Sequence, residues 1–163
     1  MVPLIDLSRR LQANKESFAL AVQQVMVNGN VLLGAQTTQF EKAFALFAGT
    51  QYGVAVSSGA AALQLSLAAL GIGEGDEVIV PAMTAVPTAS AVCAVGARPI
   101  IVDVDEETAA IDLDLVEVAM TERTRAVIAV HLYGRPVANL DRLMNLGVKV
   151  IEDCAQSHGA TRG

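Results

Sequence analysis

Short runs of β-branched and apolar residues recur along this chain at positions 54–56, 77–80, 99–102, 126–130 and 148–151, with a helix-patterned stretch between each and the next. That succession excludes most folds. Strands joined through helices cannot pair as hairpins, so they lie parallel, and a parallel sheet needs helices on both of its faces. The expected fold class is α/β, a mostly parallel doubly wound sheet. The runs themselves agree, because apart from Glu77 and Lys149 they are continuously apolar, as strands buried on both faces are.

Before residue 52 the pattern is helical. Phe18, Val22, Val25 and Met26 recur at helical spacing within a helix expected over residues 8–27, and Asn28-Gly29 supplies a left-handed stop. Thr38-Gln39-Phe40-Glu41 has the spacing of a capping box, and Phe40, Phe44 and Phe47 form one stripe that Gly49 ends, which predicts three core phenylalanines. Farther on, Ser57-Ser58-Gly59 opens a helix carrying Leu63, Leu67 and Leu70 on one side, and the glycines between 71 and 75 turn the chain out of it. Pro87 fits the first turn of a helix that Gly96 closes. Asp112, or Asp114 with Glu117, caps a helix to about Met120, and Asn139 caps another that ends at Gly147. The expected organisation is an N-terminal helical segment at 1–50 and an α/β portion at 51–163, with no repeat or low-complexity linker.

A chain of 163 residues fits one domain and buries roughly 70% of the surface its unfolded form exposes. Hydrophobic residues make up 53% and charged residues 17%, which is apolar for a free-standing soluble domain. A sheet covered on both faces accounts for part of that excess, and apolar surface awaiting a partner for the rest. The net charge of −6 excludes the clustered Lys and Arg of a nucleic-acid surface. Met1-Val2-Pro3-Leu4-Ile5-Asp6 has no basic-then-apolar leader, and no apolar run approaches the ~18 residues of a membrane span. Cys93 and Cys154 lack metal-ligand spacing, so buried, reduced thiols and a cytoplasmic location are expected.

In a parallel α/β sheet, ligands sit beyond the carboxyl ends of the strands, which directs attention to the residues just after each run. Ser57-Ser58-Gly59 places free backbone N–H groups, a hydroxyl and a helix N-terminus together, either as a phosphate cradle or as a plain serine cap. Gly71-Ile72-Gly73-Glu74-Gly75 follows a helix and precedes a strand, the reverse of the order a dinucleotide loop requires. Pro81-Ala82-Met83-Thr84-Ala85 reads as loop scaffolding. Asp103-Val104-Asp105-Glu106-Glu107 lacks the glycine and ligand alternation of a calcium loop and reads as a solvated acidic turn, so no metal site is expected. His131-Leu132-Tyr133-Gly134 brings an imidazole and a phenol to the same rim, in a structural or a catalytic role. Asp153 closes the last run. A carboxylate there expects a cationic partner, such as a protonated heterocyclic nitrogen, or else local backbone N–H groups. Gln156 stands three residues on. An anion cradle at Ser58-Gly59 and a cation partner at Asp153 are the two handles of pyridoxal 5'-phosphate (PLP).

Val56-Ser57-Ser58-Gly59-Ala60-Ala61-Ala62-Leu63, Glu77-Val78-Ile79-Val80-Pro81, Val102-Asp103-Val104-Asp105, Val130-His131-Leu132-Tyr133-Gly134 and Ile151-Glu152-Asp153-Cys154-Ala155-Gln156-Ser157-His158-Gly159 resemble, in order, successive blocks of the DegT/DnrJ/EryC1/StrS aminotransferases. Pro3-Leu4-Ile5-Asp6-Leu7 and Val31-Leu32-Leu33-Gly34 resemble that family's opening. The resemblance implies part of the large domain of a fold-type-I PLP enzyme that transaminates nucleotide-linked keto sugars, with glutamate or glutamine as amino donor. Such enzymes serve amino-sugar, polysaccharide or antibiotic-sugar biosynthesis. It implies a homodimer with neither a nucleic-acid nor a membrane partner. Gly59 and Ala60, beside Ser58, would hold the cofactor phosphate, Asp153 would pair with the pyridinium nitrogen as the catalytic carboxylate, and Gln156 would contact the 3-hydroxyl region.

This chain departs from the family pattern at three places. Ala60 stands where the family has Thr, Ala85 where it has an aromatic residue stacked on the cofactor, and Val31 where an aromatic is common. The family's Schiff-base Lys lies in a Ser-x-x-Lys-like block that these residues do not contain, and Lys15, Lys42 and Lys149 have other contexts. The expectation is an N-terminal portion, lacking the small domain and inactive alone. Two alternatives stand beside it: a non-catalytic protein that binds a phosphate-bearing ligand or assembles with an intact homologue, and the family's dehydratase branch, where His replaces the Lys.

Overall fold

The computed structural model describes Pro3 and residues 5–161. Leu4 of the opening motif lies outside the described residues, as do Met1, Val2, Arg162 and Gly163. The chain divides into two compact units between Ala55 and Val56.

The first unit holds three helices, α1 (Leu7–Ala13), α2 (Lys15–Asn28) and α3 (Ala35–Ala48). The single helix expected over residues 8–27 is broken at Asn14, whose side chain donates to the Arg10 carbonyl and so competes with the helical backbone pattern. Gly29 ends α2 in the left-handed region at φ 70°, as the sequence predicts. The capping box does not form. α3 begins three residues earlier than Thr38, whose N–H makes an ordinary helical bond to Gly34 O, while Glu41 reaches forward to accept from Ala55 N at 2.9 Å. The phenylalanine stripe is not core either. Phe40, Phe44 and Phe47 stack on one another with centroids 5.5 and 5.9 Å apart, yet Phe40 and Phe47 stay more than half exposed. In α3 only Ala45 is buried, so the apolar face of this helix has no cover within its own unit.

The second unit is the α/β portion. After α4 (Gly59–Ala69) come β1 (Glu77–Pro81), α5 (Pro87–Ala94), β2 (Arg98–Val102), α6 (Leu113–Ala119), β3 (Thr124–Val130), α7 (Leu140–Met144) and β4 (Lys149–Asp153). All pairings are parallel, in the order β2-β1-β3-β4. Residues 54–56 form no strand. No neighbouring strand is offered to them among the described residues, and a strand without a ladder leaves its N–H and C=O groups to water.

Side chains alternate across the sheet, and each face has its own core. Val78, Val80, Ala126, Ile128 and Val130 pack with Leu63 and Leu67 of α4 and with Ala91 and Val92 of α5. Ile79, Val102, Val127 and Ala129 pack on the other face with Val116 of α6 and with Leu140 and Leu143 of α7. The expected doubly wound architecture is therefore present. The chain moves outward from β1 to β2, then crosses back to β3 and β4, which makes the β1–β3 boundary the switch point of the sheet.

Capping agrees with the sequence at Asp112, whose carboxylate accepts from Asp114 N and Leu115 N. Asn139 does precede α7, but in the left-handed conformation and with no side-chain cap. Cys93 and Cys154 are free, as expected, but exposed rather than buried, because one lies on an uncovered side of α5 and the other in the loop after β4. Among the described residues no helix is long and apolar enough to cross a membrane.

One buried charge was not foreseen. The Glu77 side chain is 3% exposed, and its carboxylate accepts from Arg123 Nη2 at 2.7 Å, from Arg123 Nε at 3.2 Å and from Thr121 Oγ1 at 2.6 Å. Arg98 adds a longer contact at 3.8 Å. The Thr121 hydroxyl first, and the Arg123 guanidinium next, hold this carboxyl below its ordinary 4.5. Because the folded pKa is the lower one, the stability it contributes is fully present above that ordinary value and is lost as the pH falls through the lowered one.

Two outcomes are expected. Leu67→Ala, at a fully buried position shared by α4 and the sheet, should destabilise the second unit by about 2–5 kcal/mol in urea unfolding, whereas Leu65→Ala on the exposed side should cost below about 1 kcal/mol. Glu77→Gln should lower the urea midpoint at pH 7. Between pH 5 and 3 its midpoint should fall less steeply than that of the wild type, and parallel slopes would contradict the assignment.

Candidate functional site

The site begins with the direction of α4. Its C-terminal turn, through Ile72 of the core, leads into the amino end of β1, and Gly96, just before β2, lies against Glu74 of the same turn. The C-terminus of α4 is thus at the amino edge of the sheet. Eleven helical residues rise about 16 Å, the length of a five-residue strand, so the helix begins again at the carboxyl edge.

At that beginning Ser58 is extended, and its Oγ accepts from Ala61 N at 3.1 Å. Ala62 N is taken by Ser58 O. The N–H groups of Gly59 and Ala60 have no hydrogen-bond partner among the described residues, as expected of the first turn of a helix. Ser58 is therefore a cap, and the Gly59 and Ala60 N–H groups stay unpaired beside it among the described residues. Its hydroxyl accepts through a lone pair and keeps its proton for another acceptor. A Cβ placed on Gly59 would meet nothing within 4 Å, so the space before these two donors is open.

Asp153 ends β4 opposite Val130 and shares the parity of Ile151, on the face covered by α4 and α5. It is half-buried, and β4 pairs only with β3 among the described residues. Its Oδ1 accepts from Ala155 N at 3.0 Å, while Oδ2 has no hydrogen-bond partner among the described residues. Of the two sequence alternatives the local one is realised, at Oδ1. Gln156 Oε1 accepts from Tyr133 N at 2.7 Å, which joins the loops after β3 and β4 and leaves the amide NH2 as the donor end. Tyr133 holds φ 56°, a left-handed conformation that a bulky residue adopts only under external constraint.

Ala85 is exposed in the loop after β1, beside a pair the sequence did not signal, Thr84 Oγ1 and the buried Thr88 Oγ1 at 2.7 Å. His131 was open between structural and catalytic roles. Its ring is buried, and both nitrogens are engaged, Nδ1 by Val137 N at 3.0 Å and Nε2 by Glu152 Oε2 at 2.8 Å.

The structure thus brings Ser58, Gly59, Ala60 and Asp153 to one face at the carboxyl edge, with Gln156 and Ala85 in loops of that edge. No hydrogen bond joins the α4 start to Asp153 among the described residues, so the two handles stand on separate elements. Lys149 begins β4, four residues before Asp153 and about 13 Å away along the strand. The acidic turn is built from its own residues, with Asp105 Oδ1 accepting from Thr108 N and Thr108 Oγ1, and the hydroxyl bond chiefly holds the Asp105 carboxyl low.

The parallel sheet, covered by helices on both faces, defines a chain of the doubly wound α/β class. The model of the DegT/DnrJ/EryC1/StrS aminotransferase family matches residues 12–163, and the chain belongs to that family. It is 44% identical to dTDP-3-amino-3,4,6-trideoxy-alpha-D-glucose transaminase of Streptomyces venezuelae, over 98% of this chain and 43% of the relative. It is 41% identical to UDP-2-acetamido-2-deoxy-3-oxo-D-glucuronate aminotransferase of Pseudomonas aeruginosa, over 99% and 46%. Among solved structures, S. venezuelae DesV in complex with ketimine intermediate superposes with a TM-score of 0.93 at 44% identity, over 97% of this chain and 43% of that one. NtdA from Bacillus subtilis with bound cofactor PMP superposes with a TM-score of 0.91 at 35% identity, over 98% and 38%. The chain therefore spans less than half the length of these relatives.

Proposed function

We propose that this chain carries the cofactor-holding portion of a PLP-dependent aminotransferase that acts on nucleotide-linked keto sugars. One observation supports it above the others: an open pair of helix N-terminal donors and an unpartnered carboxylate oxygen stand at the same edge and on the same face of a parallel sheet. The donor set suits the group, an anion receiver at one end and a partner for a protonated ring nitrogen at the other. The sugar class follows from the relatives, whose substrates carry dTDP or UDP. Residues 51–163 are read as part of the large domain, and the exposed apolar residues of α2 and α3 as surface for a homodimeric cytoplasmic enzyme.

When bound, PLP supplies an electron sink for breaking bonds at the amino-bearing carbon. The residues of this chain bind and orient it. Gly59 N–H, Ala60 N–H and the Ser58 hydroxyl would receive the phosphate, helped by the N-terminal end of α4. The Asp153 Oδ2 would keep the ring nitrogen protonated, and the Gln156 NH2 would donate toward the 3-hydroxyl region. Ala85 would lie along the ring without stacking on it, and Ala60 offers a backbone donor but no hydroxyl. Lys149 begins β4, at the end of the strand away from Asp153, and the Schiff-base Lys is read as belonging to a Ser-x-x-Lys-like block that these residues do not contain.

Titration with PLP followed at the aldehyde absorbance tests this reading. Saturable binding is expected, weakened about 10–100-fold in Asp153→Ala, the worth of a hydrogen bond to a charged group. Gly59→Ala should leave the thermal midpoint unchanged or slightly raised, because its Cβ meets nothing, and should still weaken binding by filling the cradle. Ala60→Thr, which returns a hydroxyl, should tighten it about 2–10-fold. Absence of saturable binding would transfer the reading to a non-catalytic relative.

A further inference from the structure

We propose that His131 and Glu152 form a positioning pair that fixes the Asp153–Gln156 turn. The proposal rests on the cofactor reading for its purpose and on hydrogen bonds alone for its geometry. Val137 N donates to Nδ1 of His131, so the ring proton resides on Nε2 and is donated to Glu152 Oε2 at 2.8 Å. The imidazole is thereby locked in one tautomer and one orientation. A buried ring that spends both nitrogens in this way ties three segments together: the end of β3, the return segment at Val137, and β4.

The placement of Glu152 gives the pair its consequence. Glu152 and Asp153 point to opposite faces of β4. Anchoring Glu152 to a 5%-exposed imidazole holds the end of this strand from behind. The backbone adds a second tie, because His131 N donates to Asp153 O at 3.0 Å. Two residues on, Tyr133 N holds Gln156 Oε1. The segment 131–133 therefore touches Glu152, Asp153 and Gln156 in turn. Glu152 faces away from the cofactor side and is half exposed, so it acts through Asp153 and not on the ligand.

Amide hydrogen exchange in the cofactor-free chain, read by NMR, tests the pair together with PLP affinity. Glu152→Ala is the informative variant, since a half-exposed carboxylate can be removed without opening the core. Exchange at Ala155, Tyr133 and His131 should rise about tenfold, with the amides of Val78 and Ile79 in the sheet centre unchanged, and PLP should bind about tenfold more weakly. Glu152→Gln, which still accepts from Nε2–H, should restore most of both. The proposal is overturned if Glu152→Ala leaves those three amides at wild-type rates, or if they loosen while PLP affinity holds. If the wild-type chain takes up no PLP, the cofactor reading fails by itself, and the exchange rates still decide whether the pair fixes the turn.

Discussion

Everything at the carboxyl edge depends on the parallel ladder between β1 and β3. These strands sit at the centre of the sheet, their side chains are buried on both faces, and each residue of the ladder satisfies backbone groups that no water reaches. The chain turns outward on one side of this pair and returns on the other, so the crossover loops part at its carboxyl end, where α/β sheets accept ligands. α4 is set on the same foundation. Leu63 and Leu67 seat α4 against Val78, Val80 and Ile128, and that packing decides which edge its first turn reaches.

The two handles differ in how they are held. Gly59 and Ala60 belong to the end of a packed helix, where the donors are orphaned by geometry and need no further support. Asp153 belongs to the end of a strand and is held by its neighbours: the turn to Ala155, the ladder to Val130, and the His131–Glu152 contact behind it. Precision at a rigid helix start is inherited from the core, whereas precision at a strand end is assembled locally. The hydrogen bonds that hold Asp153 and Gln156 involve neither Ala60 nor Ala85.

Much of the second unit was legible in the sequence, because runs such as 78–80 and 126–130 are apolar on both faces and the intervening stretches carry helix stops. Residues 54–56 show the limit of that logic, since an apolar run specifies a strand only where another strand offers a ladder. The Phe40–Phe44–Phe47 stripe fails for a related reason: periodicity shows that a face is apolar and not what covers it. At the site, Asp153 and the Ser58–Gly59 turn were readable as strand-end and helix-start chemistry. Pairings between distant residues were not. Glu77 with Arg123, and His131 with Glu152, are separated by 46 and 21 positions, and no local pattern announces them.

The strand order also sets a schedule for the growing chain. β1 and β2 are made first and can pair with each other at once, but the other side of β1 waits for β3, whose first residue lies 47 positions after Glu77. At roughly 5–20 residues per second of synthesis, that side stands open for about 2–10 seconds. During this interval Val78, Ile79 and Val80 present an unpaired, fully apolar edge to whatever is nearby, and Glu77 has yet to meet Arg123. The central strand of the finished sheet is therefore, for a few seconds of every synthesis, its most exposed one, and the place where a chaperone would have most to protect.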